Sequence, residues 1–160
     1  MNIKAIKANY LNANHERDIQ FLLDYYARDD MGGGKPLDDS IKNEVVNELS
    51  KLRHAFSVLV YVDSEVVGLA NCFELFSTFM CKPLINIHDL VVVDSHRGKG
   101  ISQVILQKVE EIAKSKGCCK VTLEVLSNNK VAMSAYTKFG FSDYRINSDT
   151  GGAQYWQKII

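Results

Sequence analysis

Two stretches of this 160-residue chain combine residue types that do chemistry. The first is Leu90-Val91-Val92-Val93-Asp94-Ser95-His96-Arg97-Gly98-Lys99-Gly100-Ile101-Ser102-Gln103, where an apolar strand pattern gives way to two glycines and then to helical spacing. Glycine lets backbone N–H groups converge with no Cβ in the way, and a helix N-terminus carries roughly half a positive charge. Such a turn holds an anion, and Arg97 and Lys99 suit it to phosphate. A plain strand-to-helix turn shares the outline but gains nothing from the two bases. Other phosphate motifs fit less well. No G-x-x-x-x-G-K-[ST] occurs, and Gln103 stands where a dinucleotide fingerprint needs its third glycine, although Glu124 sits roughly where a ribose-binding acid would follow.

The second stretch is His88-Asp89, which interrupts the apolar run Leu84-Ile85-x-Ile87-x-x-Leu90. Burying such groups is costly unless they are partnered or used. An imidazole changes charge near neutrality and can take a proton from a nucleophile directly or through water. A structural histidine satisfied by hydrogen bonds is the alternative. Asp89 suits orienting a site or attracting an amine. Elsewhere, Asp29 and Asp30 open a connection rich in glycine (Gly32-Gly33-Gly34) that could draw a cationic amine and close over it; an inert loop has the same composition. Glu74 and Phe76, with Phe79, are further candidates for an acceptor side, although strand aromatics more often belong to a core.

The elements that must position these groups follow from periodicity. Residues 3–8 alternate as a strand rather than a signal peptide. Asn12 or Asn14 can cap a helix with Ile19, Leu22, Leu23 and Tyr26 on one stripe, ending at residues 28–36. Asp38, Asp39 or Ser40 starts a second helix with Ile41, Val45, Leu49 and Leu52 inward. Residues 56–62, 66–76 and 84–93 read as strands. Residues 98–116 read as a helix stopped by Gly117, residues 120–126 as a strand, and residues 130–139 as a helix closed by Gly140. Residues 141–145 and 154–159 are expected to pair across a turn containing Gly151-Gly152. This order predicts an α/β protein with a mixed sheet, one domain over residues 1–160.

Composition narrows the classes. Hydrophobic residues are 46% and charged residues 24%, an ordinary globular mix, with 19 bases against 19 acids. That balance argues against a nucleic-acid or membrane-surface partner. The charge is uneven, at +4 over residues 97–120 and −3 over residues 16–53, so an anionic ligand could lie beside a cationic one, or the two stretches could be solvated helix faces. No apolar run reaches the ~18–20 residues of a membrane span. Four cysteines, Cys72, Cys81, Cys118 and Cys119, show neither metal-ligand spacing nor C-x-x-C, so no metal is expected and a reducing cytoplasm is.

The turn also resembles that of the GNAT superfamily of N-acetyltransferases. The family pattern Q/R-x-x-G-x-G/A reads here Arg97-Gly98-Lys99-Gly100-Ile101-Ser102, with Ser102 departing at the last position. The run Leu123 to Phe141 is similar to the family's L-x-V-x-x-x-N-x-x-A-x-x-x-Y-x-x-x-G-F, with Asn129, Ala132, Tyr136, Gly140 and Phe141 matching. The resemblance covers about residues 88–141. It implies a strongly twisted mixed sheet of about seven strands with four helices, splayed between the fourth and fifth strands to admit acetyl-CoA. It further implies that backbone groups of Leu90, Val91 and Val92 pair with the pantetheine arm and that residues Arg97, Gly98, Lys99, Gly100, Ile101, Ser102 and Gln103 hold the pyrophosphate. By the same likeness Asn129 contacts the pantetheine, Tyr136 reaches the thioester sulfur, and the connection bearing Asp29 and Asp30 borders the acceptor.

Acetyl transfer to an amine needs a free nucleophile and a proton for the departing thiolate. A phenol keeps its proton at neutral pH and can donate it, which fits Tyr136. The region around His88-Asp89 is similar to the spermidine/spermine acetyltransferase branch, which carries Glu-Asp there; His88 replaces the Glu. The expected activity is acetyl transfer from acetyl-CoA to a small primary amine, polyamine-like first, by direct attack in a ternary complex, since nothing beside the cysteines in sequence supplies an obvious activating base. A protein or peptide amine is the second acceptor, and a non-catalytic acyl-CoA binding module is the rival class. Dimerisation through the C-terminal strands is a habit of the family.

Overall fold

The alternation at the start of the chain forms strand β1 (Ile3–Lys7), and Asn12 caps helix α1 (Ala13–Arg28), its side-chain oxygen accepting from the amides of Asn14 and His15. The computed structural model describes residues 1–160. A single 3₁₀ turn, Asp30–Gly32, follows α1, and helix α2 (Asp39–Ser50) comes next. Its inward residues are Val46 and Leu49, whereas Ile41 is half exposed and Leu52 lies beyond the helix end. The expected stripe was thus out of phase by a residue at its centre. With valines at both 45 and 46, spacing alone does not choose between them.

Strands β2 (Ala55–Val62), β3 (Glu65–Ser77) and β4 (Lys82–Val92) follow, then helix α3 (Ile101–Ser115) and strand β5 (Val121–Leu123). The sheet order is β1-β2-β3-β4-β5, antiparallel except for the parallel β4–β5 pair. β2 is buried along almost its whole length, so both faces are covered, and α1 and α3 both pack on β2, β3 and β4. Leu59, Leu69 and Ile85 of the sheet, Ile19 and Leu22 of α1, and Ile101, Ile105 and Leu106 of α3 are all fully buried. Gly68 permits the close seat of α3. A Cβ there would lie 2.9 Å from Ile105 Cδ1 and 3.2 Å from Ile101 Cγ2.

The residues group into two compact units, Met1–Leu123 and Glu124–Ile160. The second contains helix α4 (Lys130–Phe139), capped by Asn129, whose side chain accepts from the Ala132 amide, and ended by Gly140 at φ +112°. The mixed α/β architecture and four helices are as expected, but the sheet has five strands, not about seven. Residues 141–145 and 154–159 form no strands. An isolated bridge, Arg145 with Gly152, and a bond from the Ala153 amide to the Tyr144 carbonyl (3.2 Å) stand in their place. Asn147 Oδ1 accepts from the amides of both Asp149 and Thr150, so the turn satisfies itself locally instead of feeding a ladder. A lone two-stranded hairpin is marginal in any case.

Candidate active site

β4 carries the features that could bind and react. Its pairing with β5 covers only Ile85–Val121, Asn86–Thr122 and Ile87–Leu123, while its pairing with β3 runs on to Val92–Gly68. Residues His88 to Val92 therefore have β3 on one side and no strand on the other. That free edge includes Leu90, Val91 and Val92, and an extended amide chain could add to it as a strand does. The register also slips here. Asn71 faces Asp89 and Cys72 faces Ile87, so His88 is an extra residue, a bulge that turns neighbouring side chains away from strict alternation.

His88 is exposed, its ring edge-on to Phe73 at 5.7 Å, and its ring nitrogens make no hydrogen bond to the protein. Asp89 is half-buried, and its Oδ2 accepts from Asn71 Nδ2 at 3.0 Å. The Asp89 charge, behind burial, also pushes the adjacent Cys72 thiol up, which makes that thiol a poor nucleophile at neutral pH.

Beyond β4 a 3₁₀ turn, Asp94–His96, leads into the glycine turn. Gly98 and Gly100 have φ of +73° and +82°, a region that side-chain-bearing residues rarely adopt, and Gly100 is the residue that caps α3. The first amides of α3, those of Ile101 and Ser102, have no intrahelical acceptor, as at any helix start. Ser102 sits second in the helix and keeps its backbone N–H.

Arg97 does not stand free at this turn. Its Nη2 donates to Asp29 Oδ2 (2.9 Å), its Nη1 pairs with Asp94 (2.8 Å), and its Nε donates to the Val92 carbonyl (3.1 Å). The Asp94 amide in turn donates to Tyr25 Oη (3.0 Å). The α1–α2 connection and the glycine turn are therefore joined, and Asp29 is held by Arg97 and the Met31 amide instead of facing open solvent as a free carboxylate. The other bases of the positive stretch are partly neutralised as well. Lys108 pairs with Glu111, Lys114 with Glu110 and Lys116 with Glu74, whereas Lys99, at the turn itself, has no acidic partner. The charge available to an anion at the turn is that of Lys99 and the helix start.

Glu74 and Phe76 lie three and five residues along β3 from Asn71, roughly 10 and 17 Å at the usual strand rise. Glu74 is bound to Lys116, and Phe76 is exposed near the hairpin end. The structure does not gather them with His88 and Asp89. Asp30 is exposed at the start of its 3₁₀ turn. In the second unit, Tyr136 lies on α4, half-buried, its ring 6.0 Å from that of Phe141, and Asn129 is the cap of the same helix.

Periodicity assigned Tyr26 to a core stripe. Burial, and then the charges of Asp89 and Asp29, push its phenol up, so a proton donor stands among the carboxylates of this unit. Asn71, the partner of Asp89, and Ser57 behind it carried no motif that marked them.

A free strand edge running into a glycine turn at a helix start fits a ligand with an amide arm and a phosphate end, and CoA has both. The sequence matches the acetyltransferase (GNAT) family over residues 20–141, and the chain belongs to that family. It is 36% identical to thialysine N-epsilon-acetyltransferase of Mus musculus over 80 residues, 50% of this chain and 46% of that protein. It is 32% identical to streptothricin acetyltransferase of Streptomyces lavendulae over 85 residues, 53% of this chain and 43% of that protein. The chain spans about half the length of the curated relatives it matches. Its fold is that of aminoglycoside N-acetyltransferase AAC(6')-Iy, solved in complex with CoA, at a TM-score of 0.74 and 16% identity over 98% of this chain and 95% of that one.

Proposed function

We propose that the protein transfers an acetyl group from acetyl-CoA to a primary amine of a small molecule by direct attack in a ternary complex. The observation that carries this reading is the end of β4–β5 pairing at Ile87, which leaves the edge of β4 from His88 to Val92 without a strand neighbour beside the glycine turn. In this reading backbone groups of Leu90, Val91 and Val92 take the pantetheine arm, and the turn from Gly98 to Gln103, with Lys99 and the amides of Ile101 and Ser102, takes the diphosphate. Arg97 acts there mainly by fixing the turn, given its three bonds to the protein.

Acetyl-CoA supplies an activated acyl group and a thiolate leaving group. His88, with unengaged ring nitrogens, takes the proton from the attacking amine directly or through water. Asp89 attracts the amine, as does Asp30 in the connection that follows α1. Asn129 contacts the pantetheine and Tyr136 Oη returns a proton to the thiolate, roles that rest on their place in the family motif. A polyamine or diamine is the favoured acceptor. The relatives support a small amine, since two are named for thialysine and streptothricin. Work in the cytoplasm belongs to the same reading. No helix is long and apolar enough to cross a membrane.

Release of thiol from acetyl-CoA against a panel of polyamines, diamines, amino acids, aminoglycosides and peptides tests the proposal. Turnover with a small amine is the expected result. Coenzyme binding without release from any acceptor would overturn it in favour of a binding module.

A further inference from the structure

Two polar residues are buried in the middle of the sheet, and they lie in one row. Ser57 of β2 is opposite Asn71 of β3, and Asn71 is opposite Asp89 of β4. Ser57 is 0% exposed and Asn71 3%, and they are the two buried polar residues of the core. Burial of a hydroxyl and an amide is unfavourable unless both are bonded, and here no buried side-chain nitrogen or oxygen lacks a partner. Valine at both positions would remove the problem. Their presence calls for a use.

Donor and acceptor chemistry fixes the direction of the row. Asn71 Oδ1 can only accept, so Ser57 Oγ donates its one hydrogen to it, at 2.6 Å. Ser57 Oγ must then accept from Tyr10 Oη, 2.9 Å away. With its oxygen committed to Ser57, the Asn71 amide presents its N–H to Asp89 Oδ2 at 3.0 Å. Every donor points toward the carboxylate, an arrangement in which each bond polarises the next. Turned over, the amide would set its oxygen against the carboxylate, acceptor facing acceptor. Asp89 Oδ1 has no protein partner. The row ends on one tethered and one open carboxylate oxygen, beside the His88 bulge.

We infer that Tyr10, Ser57 and Asn71 are positioning residues that fix the orientation of Asp89, holding Oδ2 so that Oδ1 is presented to a cationic acceptor amine. This rests on the proposed role of Asp89 in meeting the amine. Ser57 acts through two intermediates and touches no substrate. Its hydroxyl sets which way the Asn71 amide faces, and the amide sets the carboxylate.

The test is a double-mutant cycle read in steady-state kinetics with the best amine of the acceptor panel, each variant first checked for an unchanged melting temperature. Ser57→Ala lowers kcat/KM for the amine about tenfold, the size of one hydrogen bond's net contribution, and leaves KM for acetyl-CoA unaltered. In an Asp89→Asn background the same substitution has no further effect. Ser57→Thr, which keeps the hydroxyl, restores most of the loss. Tyr10→Phe, a milder change at the far end, gives a loss of about threefold that also vanishes with Asp89→Asn. Equal losses with and without the Asp89 carboxylate would overturn the inference and leave Ser57 a packing residue. An Asp89→Asn variant as active as the parent would instead overturn the role of Asp89 itself.

Discussion

Arg97 Nη2 and Asp29 Oδ2 meet at 2.9 Å although they stand 68 residues apart, and this bond joins the α1–α2 connection to the glycine turn. The guanidinium holds the Asp29 carboxyl below the usual carboxylate range. A group with a lowered folded value stabilises fully above its unfolded value, ~3.9, and loses that contribution as pH falls through the folded value. Asp29→Asn is therefore predicted to cost roughly 0.2–1 kcal/mol at pH 7, as partly exposed pairs do, with the gap from the parent narrowing below about pH 4. Urea unfolding across that range measures it. A gap that persists unchanged in acid would contradict the pairing as its source.

Gly100 and Gly117 flank α3 with similar backbone conformations, φ +82° and +70°, and a Cβ at either would meet nothing within 4 Å. Alanine at each should cost about 1–2 kcal/mol of backbone strain and lower the melting temperature alike. Only Gly100→Ala should weaken acetyl-CoA binding, by about tenfold, because only that turn is proposed to hold the diphosphate. Matched losses of affinity in both variants would remove the turn from the site.

His88→Ala should lower turnover by roughly a hundredfold near neutral pH, where little acceptor amine is free but an imidazole can still take a proton. The penalty should shrink as pH rises and the amine loses its proton unaided. A pH-rate profile of the two proteins decides the matter. A constant ratio across it means His88 only packs against Phe73.

How much of this could be read from residues alone differs by feature. The glycine turn was legible because positive φ at residues 98 and 100 leaves a direct trace in residue type. Helix α3 was legible because its buried face repeats at helical spacing. The His88 bulge was not, since it is a property of register between two strands. Nor was the Ser57–Asn71–Asp89 row, whose members are 14 and 18 residues apart. The same holds for Arg97, whose basic character pointed to phosphate while the fold supplies two carboxylates. Strands at residues 141–145 and 154–159 had the right pattern, but the Asn147 side chain competes for the backbone of their turn. Five strands form as a result.

Tyr136→Phe should leave acetyl-CoA affinity within twofold of the parent and reduce kcat by about a hundredfold, the loss expected when a general acid is removed. Paired calorimetry and steady-state assays separate the two quantities. An unchanged kcat would end the acid role and make Tyr26 the next phenol to replace.

Main-chain amides at the start of α3 are proposed to grip the diphosphate of acetyl-CoA. Isothermal titration of the folded protein with acetyl-CoA, and separately with CoA, measures that grip. Saturable binding of both at one site per chain, weakened by Gly100→Ala, is the expected result. Absence of heat with either compound, from protein that melts cooperatively, would contradict it.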